Sequence, residues 1–307
     1  MSTIAWIGLG HMGAPMAAHL VSAGHTVRGV DPVPAARDAA ATRGIQVVDT
    51  VAEALQGADA CLTSLPGPDQ VRQVYGGGDG VFAHAVAGTL LLDTSTVDVG
   101  TSRWCHDEAA ARGLAFVDSP ISGGTAGAEA GTLAVMLGGH PDHLARARTV
   151  VEPMARAVID CGEATSGIAA KLANNMMLFI SVMAMSEGSQ LAEHLGLDPH
   201  VFWQVVDASS GQSWAQRTWY PVPGVVPTAA ANHDFDATFS ADLARKDCGL
   251  AVQAGEATGV NLPAARLALE QLERLAAEGL GGKDCTLVAK YASPDGTLRG
   301  YTPAPRE

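Results

Sequence analysis

At 307 residues the chain is long enough for two domains, and its net charge of −13 argues against nucleic acid or an anionic membrane as partner. With 47% hydrophobic and 17% charged residues, it carries a sizeable core and is not a disordered chain. Five scattered cysteines, Cys61, Cys105, Cys161, Cys248 and Cys285, form no C-x-x-C pair and point to reduced thiols in a cytosolic setting.

The first strand-like run begins almost at once, at residues 3–9, with no basic or cleavable leader before it. Further short apolar runs at 26–31, 46–49, 60–65, 89–94, 115–118, 133–137 and 157–160 read as strands, with Ala-rich helical stretches at 14–23 and 35–43 between the early ones. Strands alternating with helices predict a parallel sheet covered on both faces. The closer spacing of the later strands predicts a mixed far side.

After Gly162 the texture changes. Residues 166–195 contain no proline and few strand formers, which predicts one long helix of about 45 Å at 1.5 Å per residue. Gly196 is its stop and Asp198-Pro199 starts the next helix. The remainder reads as helices, among them 263–278, broken by a Pro/Gly loop at 220–227. The expected organisation is an α/β domain over 1–164 and an all-helical domain over 165–307. The apolar stretch 176–185 falls short of the ~20 residues of a membrane span.

Gly8-Leu9-Gly10-His11-Met12-Gly13 is a G-x-G-x-x-G between the first strand and the first helix. Gly8 suits the tight turn, Gly10 a close approach of backbone to a pyrophosphate, and Gly13 close packing of helix on strand. The pyrophosphate would rest on the free N–H groups of the helix start. Asp31 ends the second strand, where a carboxylate accepts from ribose hydroxyls and repels a 2′-phosphate. Together these predict a Rossmann-type site for NAD rather than NADP, with Arg28 and Arg37 nearby as possible counterweights.

Three further segments carry polar groups worth weighing. Lys171 and Asn175 are four apart on the long helix and share a face, with Asn174 three from the lysine, in almost wholly apolar surroundings. Desolvation disfavours the lysine's cation and brings its pKa toward the range useful for proton transfer. The alternative is a lysine snorkelling from a surface helix; the nucleotide motif tips the balance to chemistry. In Asp118-Ser119-Pro120-Ile121-Ser122-Gly123-Gly124, the Ser122 hydroxyl and the bare N–H groups of Gly123 and Gly124 suit a small anion cradle, although the local sequence fits a plain turn better. Lys246-Asp247 fits a solvated helix face equally well. His140 and His143 read as a surface turn, and no metal site is expected.

The ordered set of GLGHMG at 8–13, DSPISGG at 118–124, G-x-x-x-K-x-x-N-N at 167–175 and KD at 246–247 resembles the β-hydroxyacid dehydrogenase family, from the first strand to about residue 290. The resemblance implies a Rossmann domain joined through a long interdomain helix to an all-α domain that closes the cleft and forms a homo-oligomer, a dimer or tetramer. It implies Lys171 as general acid/base, and Ser122, Gly123, Gly124, Asn175 and Phe239 as substrate contacts. The cofactor contacts implied are the 8–13 turn, Asp31, Leu65, Pro66, Thr96 and Lys246. Ser209–Trp214 and the PVPGV run at 221–225 are similar to members that oxidise 3-hydroxyisobutyrate to methylmalonate semialdehyde, in valine breakdown. Reduction of a short semialdehyde and a non-catalytic NAD-binding scaffold are the alternatives. The chain departs from the pattern at Thr165, where the family often has glycine, and in the variable Thr125-Ala126-Gly127.

Overall fold

Short β-branched and leucine-rich runs form the strands β1 (Thr3–Ile7), β2 (Thr26–Val30), β3 (Gln46–Val47), β4 (Ala60–Thr63), β5 (Leu90–Asp93) and β6 (Ala115–Asp118). β4, β5 and β6 are buried at every position and β1 at all but its first, as strands covered on both faces must be. The computed structural model describes residues 1–303. It divides into two units, Met1–Lys171 and Leu172–Glu307.

In the first unit the sheet runs β3-β2-β1-β4-β5-β6, all parallel. It continues through β8 (Leu133–Gly138), antiparallel to both β6 and β7 (Ile121–Ser122), and β9 (Ala155–Gly162) lies parallel to β8. The far side is therefore mixed, as the strand spacing predicts. The two-residue β7 is too short to show a period, and β9 is longer than the predicted 157–160. β3 stops two residues before the predicted end at 49, because Thr50 and Glu53 form a capping box that starts the next helix.

Strand order reverses between β1 and β4, where open α/β sheets bind ligands beyond their strands' carboxyl ends. Backbone bonds from Gly8 N to Val30 O, Ser64 N to Ile7 O, Thr94 N to Thr63 O and Ser119 N to Asp93 O keep the turns after β1, β4, β5 and β6 in step at that edge.

The long helix spans Ser166–His194, 29 residues and about 44 Å. By length and composition alone it is sufficient to cross a membrane, which corrects the expectation drawn from 176–185. Its buried positions include Lys171, Asn175, Ser186, Ser189 and Gln190, polar groups turned into protein. The division between the two compact units falls within this helix, after Lys171. The reason is its first turn, which is seated on the sheet: Gly167 and Ile168 are packed against Met136 and Asp118.

The second unit is helical, with Pro199–Asp207, Trp214–Thr218, Ala241–Thr258 and Pro263–Ala277 as its further α-helices. Among the described residues its only β pairing is two isolated bridges, Asp236 with Lys283 and Ser240 with Asp284. Its core gathers Phe179, Tyr220, Phe235, Leu272 and Leu287. The tail from Pro294 folds back on this unit: Leu298 is buried, Arg299 pairs with Glu193, and the Tyr301 ring meets Phe235 edge-on. Residues 304–307 of that tail, and of the predicted second domain, lie outside the described residues.

A Cβ added at Gly167 would lie 2.5 Å from the carbonyl oxygen of Met136, a backbone atom with nowhere to go. Gly167→Ala is expected to destabilise the fold by about 1–3 kcal/mol, as overpacking does, measured by urea unfolding. An unchanged midpoint would show that the helix start is not pressed on β8.

Candidate active site

The turn after β1 is built by three unequal glycines. Gly8 has φ +94, and a Cβ there would stand 2.2 Å from the Ser64 carbonyl oxygen. A Cβ on Gly13 would stand 1.9 Å from the oxygen of Gly8, the same oxygen that accepts from the Trp6 indole N–H at 2.9 Å. These two glycines are required by the protein's own packing. Gly10 is exposed, and a Cβ there would touch no protein atom within 4 Å. A side chain at Gly10 would instead fill the cradle in front of the helix Gly13–Ser22, where a pyrophosphate needs bare backbone. The turn therefore fits a dinucleotide.

Asp31, buried at the end of β2, accepts from Leu9 N at 2.7 Å and from Val33 N at 2.8 Å, one on each oxygen. It thus fixes the glycine turn while standing where a ribose would be read. Arg28 donates to the Gln56 carbonyl and Arg37 pairs with Asp49, so both guanidiniums are engaged on this chain.

The loops after β4 and β5 are tied together by a carboxylate that sequence reasoning missed. Asp93 Oδ1 accepts from Ser95 Oγ at 2.6 Å, Ser95 N at 3.1 Å and Thr63 Oγ1 at 2.7 Å. Ser95 Oγ accepts in turn from Leu65 N at 2.9 Å. Leu65 and Pro66, and Thr96 next to Ser95, are thereby held at the sheet's carboxyl edge. The signal was present: Asp93 ends a strand that is otherwise three leucines, and a carboxylate so placed is buried. Burial pushes its pKa up to about 6, against the pull of the Ser95 and Thr63 hydrogen bonds.

Ser122 lies in β7, and Gly123 and Gly124 follow with φ +139 and +66, conformations that favour glycine. Lys171, 7% exposed, is the last residue of the first unit. The helix continues without a break through Asn175, one turn further on. In the second unit the Asn175 amide donates to Asp247 Oδ2 at 2.7 Å and its oxygen accepts from Asn174 at 3.1 Å. Asp247 is buried and pairs through Oδ1 with Lys246 at 3.1 Å. The KD pair is thus not a solvated face: its aspartate anchors Asn175. Phe239 lies between Phe179 and Trp219, with ring centroids at 6.0 and 6.1 Å. Its backbone N–H donates to fully buried Asp284, which also binds Thr238 and Thr286.

The raised pKa of Asp93 gives a sign to its pH dependence. The folded chain keeps a proton that the unfolded chain releases, so this group's stabilisation is full below about pH 4 and is lost as pH rises through about 6. The stability of the wild type relative to Asp93→Asn is therefore expected to fall from pH 4 to 7 in urea titrations; a difference that does not change with pH would contradict it.

Comparison with known proteins agrees with this geometry. A family model described as the NAD binding domain of 6-phosphogluconate dehydrogenase matches residues 3–162. A second, described as NAD-binding of NADP-dependent 3-hydroxyisobutyrate dehydrogenase, matches residues 165–292. A Mycobacterium tuberculosis protein named probable 3-hydroxyisobutyrate dehydrogenase is 46% identical, covering 91% of this chain and 94% of its own. A Pseudomonas aeruginosa protein named NAD-dependent L-serine dehydrogenase is 39% identical, covering 96% and 99%. The solved M. tuberculosis 3-hydroxyisobutyrate dehydrogenase with L-serine superposes with a TM-score of 0.87 at 44% identity, covering 95% of this chain and 99% of that one. A nucleotide turn that fits a dinucleotide and matches along nearly the whole length lead to one conclusion: the chain belongs to the β-hydroxyacid dehydrogenase family and is an NAD-binding oxidoreductase.

Proposed function

We propose that this enzyme uses NAD to oxidise the primary alcohol of 3-hydroxyisobutyrate to methylmalonate semialdehyde, a step of valine breakdown. The observation that carries the reading is Lys171, an amine 7% exposed on the interdomain helix, one turn before an asparagine whose amide is fixed by a buried aspartate. A relative 46% identical is named probable 3-hydroxyisobutyrate dehydrogenase, which supports the reading.

The turn Gly8–Gly13, Asp31, Leu65, Pro66, Thr96 and Lys246 would hold the cofactor, which when bound accepts the carbinol hydride. Ser122 and the N–H groups of Gly123 and Gly124 bind the substrate carboxylate. Lys171 in its neutral form takes the hydroxyl proton during oxidation, and in its charged form returns it in the reverse direction. Asn175 orients the substrate and Phe239 gives its carbon skeleton an apolar wall. NAD is favoured over NADP because Asp31 repels a 2′-phosphate and the two nearby arginines are engaged elsewhere. The exposed apolar side chains Leu191, Leu195, Val201 and Val205 of the helical unit favour a homo-oligomer. The unpaired cysteines suit a reducing, cytosolic setting.

L-serine is a second reading, favoured by the relative that carries its name and by the solved complex with it. It offers the same carboxylate and primary alcohol, with an ammonium in place of the methyl. Steady-state kinetics over 3-hydroxyisobutyrate, L-serine and other short β-hydroxy acids, each with NAD and NADP, test both points. The largest kcat/KM is expected for 3-hydroxyisobutyrate with NAD. A larger value for L-serine would replace the substrate, and a preference for NADP would remove the role given to Asp31.

General acid–base help is worth about 10²–10⁴-fold, so Lys171→Ala should lose at least that order in kcat while NADH binding persists. Near-normal turnover in this variant would remove the lysine from the reaction.

A further inference from the structure

We infer that Asp118 is a positioning residue for the reaction: its buried carboxylate clamps the first turn of the helix that carries Lys171 and so sets where the lysine amine stands. The inference rests on the role proposed above for Lys171.

Asp118 ends β6 and is 1% exposed. Its Oδ2 accepts from Ile168 N at 2.8 Å. Its Oδ1 accepts from Thr165 N at 2.9 Å and from His106 Nε2 at 2.7 Å, the ring nitrogen being the donor because a carboxylate only accepts. Thr165 and Ile168 bracket Ser166, the first residue of the helix. Their N–H groups belong to the set that a helix start leaves without an internal partner, and an anion there is bound by charge-assisted bonds and by the helix dipole. With both oxygens so occupied and almost no exposure, Asp118 is not a substrate ligand.

The glycines around it show how tightly the junction is drawn. A Cβ on Gly138 would stand 2.7 Å from both Asp118 oxygens and 2.6 Å from Gly167 N. A Cβ on Gly167 would stand 2.9 Å from the Asp118 carbonyl oxygen. The helix backbone therefore lies directly on β6 and β8, with no side chain to act as a cushion. Thr165, just before the helix, has φ +76, a strained conformation for a β-branched residue. It persists because its N–H is held by Asp118 and its hydroxyl by Arg103, which also donates to the Ala164 carbonyl. From Ile168 to Lys171 is less than one helical turn, about 4.5 Å of rise, so a shift of the clamped turn is transmitted to the amine with little loss. The same residue opens the segment that carries Ser122, Gly123 and Gly124, and so ties the carboxylate cradle to the helix.

Asp118→Asn keeps the shape and one acceptor but presents an NH₂ to a backbone donor. The expected result is a loss in kcat on the order of 10²-fold, the effect of misplacing a reacting group by about 1 Å, with NADH affinity, read by its fluorescence, unchanged. The deciding measurement is the same substitution in the Lys171→Ala background. If Asp118 acts through the lysine, the further loss there should be less than about threefold. Losses that multiply in the double variant, or normal turnover in Asp118→Asn, would overturn the inference. Failure of the lysine's own role shows separately, as near-normal turnover of Lys171→Ala alone. Should Asp118→Asn not fold, Asp118→Glu keeps the charge and displaces the clamp by one methylene; it is expected to lose kcat with NADH affinity intact, and wild-type turnover in it would equally overturn the inference.

Discussion

The organisation of this protein rests on buried carboxylates that survive away from water because N–H and O–H groups converge on them. An unpaired carboxylate in a protein interior is costly, and one that collects hydrogen bonds becomes a fixed point. Asp31, Asp93 and Asp118 follow or end strands of the parallel part of one sheet, and each fixes a different piece of the chain: the glycine turn, the loops after β4 and β5, and the start of the long helix. Asp284 and Asp247 do the same in the helical unit, for the backbone before Phe239 and for the amide of Asn175. None of these five needs to touch substrate for its loss to be felt in turnover.

Close approach is the second constraint, and it separates glycines that the fold requires from one at which it leaves open space. At Gly8, Gly13, Gly138 and Gly167 an added Cβ would collide with the chain's own backbone or with a buried carboxylate. At Gly10 it would meet nothing of the chain. A glycine whose Cβ would meet nothing of the chain, exposed in front of a helix start between two that would collide, leaves room for a ligand to approach bare backbone.

Legibility in the sequence followed chain-local signals. The strand, turn, helix and terminal Asp31 of the nucleotide site were readable because they lie within residues 3–31 and each has a local cause. The long helix was readable from its lack of breakers. What stayed hidden depends on contacts distant in sequence. β7 has only two residues and exists because β8 folds back beside it. The seat of the helix start depends on Gly167 lying against residues 118 and 136. Asp118 was visible as the end of a strand and the opening of a turn, and its partners at the helix start are 47 and 50 residues away. The Lys246-Asp247 pair looked equally like a solvated face, because nothing local shows that the aspartate is buried against Asn175, 72 residues before it. Thr165 was noticed as a departure from glycine; its φ of +76 shows why glycine suits that place and which bonds hold a threonine there instead.

The net charge of −13 would, taken alone, repel both a dinucleotide and a carboxylate substrate. Distance resolves the conflict. At physiological ionic strength charges more than about 8 Å apart are largely screened, so the diffuse acidity of the surface weakens within a few residues' span. The groups proposed to receive anions are the backbone N–H donors of the 8–13 turn and of Gly123 and Gly124, the Ser122 hydroxyl and the Lys246 amine, all acting at hydrogen-bonding range. The arginines nearest the nucleotide turn are tied to Gln56 and Asp49. In the proposed reaction the carboxylate is met by neutral dipoles, which recognise an anion by geometry and leave Lys171 to the proton alone.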